Sequence, residues 1–199
     1  MEQYFTFHHE LTKLNKKLLT MSTMVEERIR QAAGVIESKD REVIQSIIRS
    51  DYEVDDLEIE IEEDCLKILD LHQPVAKDLR FTIAVIKINN EMERIANIAV
   101  SIAKRVQNIS KLKHAGAVSY DFSKMSEKAV HMLKKSIDAL VRGDAAMARS
   151  LFLDDDEVDA MKDRCYEDVK TRIKNDPQHP GFHINTFLLG RHLEIEVGE

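Results

Sequence analysis

Carboxylates recur at helical spacing in one stretch of this sequence. Asp51 and Asp55 are four positions apart, and Glu58 and Glu62 follow at seven and eleven positions from Asp51. On an α-helix, residues three or four apart share a face, so these side chains form one acidic stripe. Carboxylates gathered on one face repel one another. A bound cation removes that repulsion, and divalent metals accept oxygen ligands of this kind. A second polar line, Asn89, Glu93, Asn97 and Ser101, repeats every four residues. It lies one residue round from the apolar Met92, a placement that lets it face the acidic stripe at the edge of a bundle. A solvated face is the commoner use of such spacing, so the pattern alone is suggestive only.

Other chemistry is scarce. The sequence has no GxxxxGK[ST] phosphate loop, no GxSxG elbow and no HExxH zinc helix. The expectation is a protein that is not an enzyme, with no catalytic residues. The alternative is a carboxylate-bridged metalloenzyme or a metal-storage helical bundle. Such bundles use Glu-x-x-His motifs, and the one close pair, His192 with Glu194, has the wrong spacing. His8 and His9 read as exposed. His179 and His183 flank a turn with no evident carboxylate partner. Cys65 and Cys165 have no neighbouring cysteine, so they read as reduced, partly buried thiols, which suits a cytoplasmic location.

The whole chain sets the frame. It has 199 residues, 43% hydrophobic and 33% charged, which is enough apolar matter for a core. Only 6 Gly and 3 Pro occur, so long helices are expected. The net charge of -7 disfavours a duplex-binding protein, which needs a basic face. It suits metal cations or basic patches on a protein partner. The first ten residues carry no apolar signal core, and no segment approaches the length of a membrane span.

Apolar periodicity places the elements. Leu11, Leu14, Leu18, Met21, Val25, Ile29, Ala32 and Ile36 line a helix from about Phe7 to Ser38. Asp40 is a plausible N-cap for a second helix to about Leu71. A third starts near Pro74 and carries a seam of Val85, Ile88, Met92, Ile95, Ala99, Ile102 and Val106. Gln107 to Tyr120 reads as the link between halves. A fourth helix runs through Met125, Ala129, Met132 and Leu140, a fifth from about Ala145 to Asn175, and a sixth begins near Phe182. Long helices with short turns make an antiparallel bundle.

The halves repeat. Asp155-Asp-Glu-Val-Asp159 matches Asp51-Tyr-Glu-Val-Asp55 at an offset of 104, which also carries Asp40 onto Asp144 and Met21 onto Met125. The fold class expected is therefore all-α, two tandem three-helix bundles making six helices related by a pseudo-twofold repeat. The units would span residues 1–112 and 113–199.

The stretches Asp51-Tyr-Glu-Val-Asp-Asp-Leu-Glu58, Gln73-Pro-Val-Ala-Lys-Asp-Leu-Arg80 and Lys87-Ile-Asn-Asn-Glu-Met-Glu-Arg-Ile95 resemble the PhoU family. Leu188-Leu-Gly-Arg-His-Leu-Glu194 is similar in the second half. The resemblance covers nearly the whole chain and implies the same duplicated bundle. It implies a cytoplasmic negative regulator of phosphate uptake and of the phosphate-starvation response. The partners implied are the ATPase of a phosphate ABC transporter and a sensor histidine kinase, with a homodimer as the oligomer. Nucleic acid and a membrane span are not expected, and any membrane association would be peripheral, through partners.

The resemblance also implies multinuclear iron or zinc sites, with no organic cofactor. The ligands it implies are Asp51, Asp55, Glu62, Glu93 and Asn97 in the first half, and Asp155, Asp159 and Glu194 in the second. Asn97 stands where the family has Asp, and an amide is a weaker, neutral ligand. Gly198 stands where the second half needs a ligand and offers none. Both departures imply weaker metal binding, and the second also implies a sixth helix that is truncated or altered.

Overall fold

The structure, a computed structural model, describes residues 2–111 and 120–194. Among the described residues every regular element is an α-helix: α1 (Glu2–Ser38), α2 (Arg41–Arg49), α3 (Tyr52–His72), α4 (Ala76–Ser110), α5 (Ser123–Arg142), α6 (Ala145–Asn175) and α7 (Pro180–Leu193). The six expected helices are all present. The second is divided by a turn into α2 and α3.

That division has a visible cause. At Ser50 the backbone leaves the helical region (φ -84°, ψ 6°). The amides of Glu53 and Val54 then bond three residues back, to Ser50 and Asp51, at 3.1 and 3.2 Å. Arg28 of α1 reaches this turn, although it is only 5% exposed. Its guanidinium donates to the carbonyl oxygen of Ser50, and at 3.4 Å to that of Asp51. Helix carbonyls loosened at a break need new donors, and a buried guanidinium needs acceptors. In the second half the residue 104 positions after Arg28 is Met132, fully buried, and α6 runs unbroken past Asp155.

The two halves share their capping. Asp40 accepts the amides of Glu42 and Val43 at 2.8 and 3.2 Å, and Asp144 accepts those of Ala146 and Met147, both at 2.9 Å. These bonds satisfy helix-end donors that have no partner inside the helix. The residue before each cap is left-handed, Lys39 at φ 51° and Gly143 at φ 65°.

Two expected boundaries shift. Gln73 closes α3 in the left-handed region and α4 begins at Ala76, so Pro74 lies between helices rather than inside one. Proline just past a helix end is common because it cannot continue the helix. The link expected from Gln107 begins later, since α4 continues to Ser110 with Ile109 buried. Residues 112–119 of that link, with the expected division at 112/113, lie outside the described residues.

The buried side chains form one cluster. α1 packs on α3, α4 and α5, while α4 also packs on α7, so the two units share a core. Matching positions hold buried Ser22 and Ser126. Gly190 lets α7 approach α6: a Cβ there would lie 3.2 Å from Cys165 Sγ and from a Phe122 ring carbon. Cys65 and Cys165 are free and buried. Burial pushes their thiols up to about 12 and about 11, so they are poor nucleophiles. Among the described residues no helix is long and apolar enough to cross a membrane.

Candidate functional site

α3 and α4 pack together, and the acidic stripe lies along their shared edge. Glu58 is the most crowded member. Burial, then Glu62, Glu93 and Asp55, raise its carboxyl above the usual range. Three of its neighbours are therefore carboxylates, two from its own helix and one from α4. Asp51 is also raised, first by burial and then by Asp55, while Arg28 and Lys104 pull it down. Its Oδ1 lies 3.8 Å from Arg28 Nη1 and accepts no hydrogen bond. The expected first-half residues Asp55, Glu62 and Glu93 thus converge electrostatically around Glu58, with Asp51 one turn beyond Asp55. Asn97 sits beside them and donates its amide to Glu93 Oε1.

The polar line of α4 divides in two. Glu93 is half-buried and Asn97 exposed, but Asn89 is completely buried. Asn89 donates to the carbonyl of Glu58 at 2.8 Å, and its own Oδ1 has no partner. It fixes α4 against α3 directly beneath the crowded carboxyl. The donor set of this edge, carboxylate and amide oxygens with net negative charge, fits an oxygen-seeking divalent cation. Among the described residues no three His, Cys, Asp or Glu side chains are gathered closely enough to hold a metal ion as they stand. Binding here would require these side chains to draw together, the exposed Glu62 among them.

The second half has the same frame with a different occupant. Asp159 on α6 and Glu194 at the end of α7 are brought together as expected, but Lys162 stands between them. Its Nζ is 3.1 Å from Asp159 Oδ1 and also contacts Glu194 Oε1. The lysine is pushed well up, first by its bond to Glu194. Contacts with Glu194 and Lys162 hold Asp159 below the usual range, while burial raises Glu194, whose side chain is only 14% exposed. Asp155 lies half-buried on α6, one turn before Asp159. Gly198 falls outside the described residues. Lys162 was not among the expected site residues, and the signal was available: it lies 104 positions after Glu58, the offset of the repeat.

A third polar cluster corrects an expectation. His179 and His183 do have a carboxylate partner, Asp176, at 2.8 Å from His179 Nδ1 and 3.1 Å from His183 Nε2. Their contacts, His179 first, hold Asp176 below the usual range. The cluster staples the α6–α7 turn.

Between α4 and the α5–α6 hairpin lies an apolar groove of about 420 Å³, lined by Ile88, Met92, Ile95, Leu133, Leu140 and Leu151 among others. Phe152 and Leu153 on α6 are exposed by 67% and 70%.

Comparisons with known proteins agree with this architecture. The family model described as the PhoU domain matches residues 18–106 and 122–195. A Clostridium acetobutylicum protein named phosphate-specific transport system accessory protein PhoU homolog is 31% identical over 171 residues, covering 85% of this chain and 78% of that protein. The Aquifex aeolicus protein of the same name is 27% identical over 188 residues, covering 93% and 83%. Among solved structures, the crystal structure of PhoU from Pseudomonas aeruginosa aligns with a TM-score of 0.87 at 26% identity, covering 94% of this chain and 90% of that one. The phosphate transport system regulatory protein PhoU from Streptococcus pneumoniae aligns with a TM-score of 0.84 at 25% identity, covering 94% and 88%.

Proposed function

We propose, from the premise that this chain belongs to the PhoU family, that it is an accessory protein of a phosphate-specific transport system and restrains phosphate uptake. The observation that carries the reading is the match of the family model to both halves, so the duplicated bundle is common to this chain and its relatives. On this reading the chain acts by binding rather than by catalysis. Its partners are the transporter ATPase and a phosphate-sensing histidine kinase, and it works as a homodimer in the cytoplasm. Acidic helix faces and exposed apolar residues such as Phe152 and Leu153 supply surfaces for such contacts.

The same reading gives the α3–α4 edge a divalent cation, iron or zinc, held by Asp51, Asp55, Glu62 and Glu93 with Asn97 as a neutral oxygen donor. Charge neutralisation there would relieve Glu58 and draw α3 onto α4. The test of function is genetic. Deleting the gene should raise alkaline phosphatase activity in cells grown with abundant phosphate, and the wild-type gene should restore repression. Unchanged repression in the deletion strain would remove the regulatory role.

A further inference from the structure

We propose that Lys162 is the resident cation of the second half: its ammonium takes the place between α6 and α7 that a bound ion would otherwise fill. Three observations support this. Lys162 occupies the position of the repeat that Glu58 occupies in the first half, so one substitution inverts the charge at the centre of the edge. In the first half a carboxyl stands among the carboxylates of Asp55, Glu62 and Glu93. In the second half an ammonium contacts Asp159, at 3.1 Å, and Glu194.

The pairing is also sheltered. The side chains of Lys162 and Glu194 are 26% and 14% exposed. Partly buried partners lose less of their attraction to water and salt than surface pairs do. The carboxylate of Glu194 ends α7, so the lysine ties that end to the middle of α6 across 32 residues of chain. An ammonium supplies charge without coordination geometry. It gives this edge a built-in counter-charge, whereas the α3–α4 edge stays open to the medium. The two halves thus divide the work: one carries its counter-ion, the other takes one up.

The reciprocal exchange tests this in the full chain, with Mn(II) as the probe. Bound ions are counted by electron paramagnetic resonance, and melting is followed by circular dichroism. In EDTA, Lys162→Glu should lower Tm by about 3 °C, and Mn(II) should restore it. The variant should bind one more equivalent of Mn(II) than wild type. Glu58→Lys should raise Tm in EDTA and abolish any dependence of the first half on Mn(II). Asp159→Asn in the otherwise wild-type chain should leave the number of bound ions unchanged. That last measurement decides the question even if Lys162→Glu fails to fold, since an ion lost with Asp159 would mean that a metal already sits beside the lysine. A Lys162→Glu protein that gains neither an ion nor a Mn(II)-dependent Tm would equally overturn the proposal. Failure of the first-half cation reading looks different: wild type binds no ion while Lys162→Glu still gains one.

Discussion

Arg28 and Met132 occupy matching positions on α1 and α5, and the helices opposite them differ accordingly. Where the guanidinium is buried, the facing helix breaks at Ser50 and offers its carbonyls. Where the methionine is buried, the facing helix is continuous. The two copies of the unit therefore differ by single residues at fixed points of one frame. Glu58 against Lys162 and Lys39 against Gly143 are further cases. In each pair the residue's own backbone is similar, while what its side chain meets is different.

The largest expected effect breaks the first pair. Arg28→Met should lower stability by about 3 kcal/mol in urea unfolding, because the turn loses its donors and Asp51 its partner. Met132→Arg should cost at least about as much, since an unpaired charge would be buried against an intact helix. If Arg28→Met is nearly neutral, the break in the second helix does not depend on the arginine.

A smaller effect sharpens the capping pair. Gly143→Ala should cost about 1 kcal/mol, because a Cβ is strained at its φ of 65° although no neighbour lies within 4 Å. Lys39→Gly should instead stabilise by about 0.5 kcal/mol, the relief of strain being partly offset by the entropy of glycine in the unfolded chain. Thermal melts of both variants read the opposite signs.

The smallest effect concerns acid. Glu58 is raised in the folded state, so what it contributes is fully present below the ordinary glutamate range and is lost as pH rises through its folded value. Asp154 is lowered, first by its hydrogen bond from Lys135 at 2.6 Å. Its contribution is present above the ordinary aspartate range and is lost as pH falls through its folded value. Glu58→Gln should therefore raise Tm slightly at neutral pH and leave it unchanged in acid. Asp154→Asn should lower Tm at neutral pH by about the shift a few tenths of a kcal/mol gives, and also converge on wild type in acid. Melting curves from pH 3 to 7.5 would separate the two halves by sign.

What could be read in advance was whatever is local. Asp40 and Asp144 cap their helices because each cap needs only amides two and three residues on. The seam of α4 is visible because its period is its own. The break at Ser50 was not, because Val43, Ile47, Val54 and Leu57 keep helical spacing straight through it, and its cause sits 22 residues away on another helix. Lys162 is legible in position, through the repeat offset from Glu58, but not in its partner, since only α7 brings Glu194 to it. Asp176 with His179 and His183 was hidden by the turn that folds three and seven residues back onto one carboxylate. Carboxylate spacing placed Asp55, Glu58 and Glu62 on one face of α3, while the meeting of Lys162 with Glu194 depended on the packing of distant segments.

One consequence follows from α1. At 37 residues it extends roughly 55 Å and lies against helices of both units. Kinship between the halves is thus a matter of descent rather than of autonomy, for each leans on the same rod. A tilt of α1 would be carried to both of its ends like a lever's motion, because the helix is unbroken from Glu2 to Ser38.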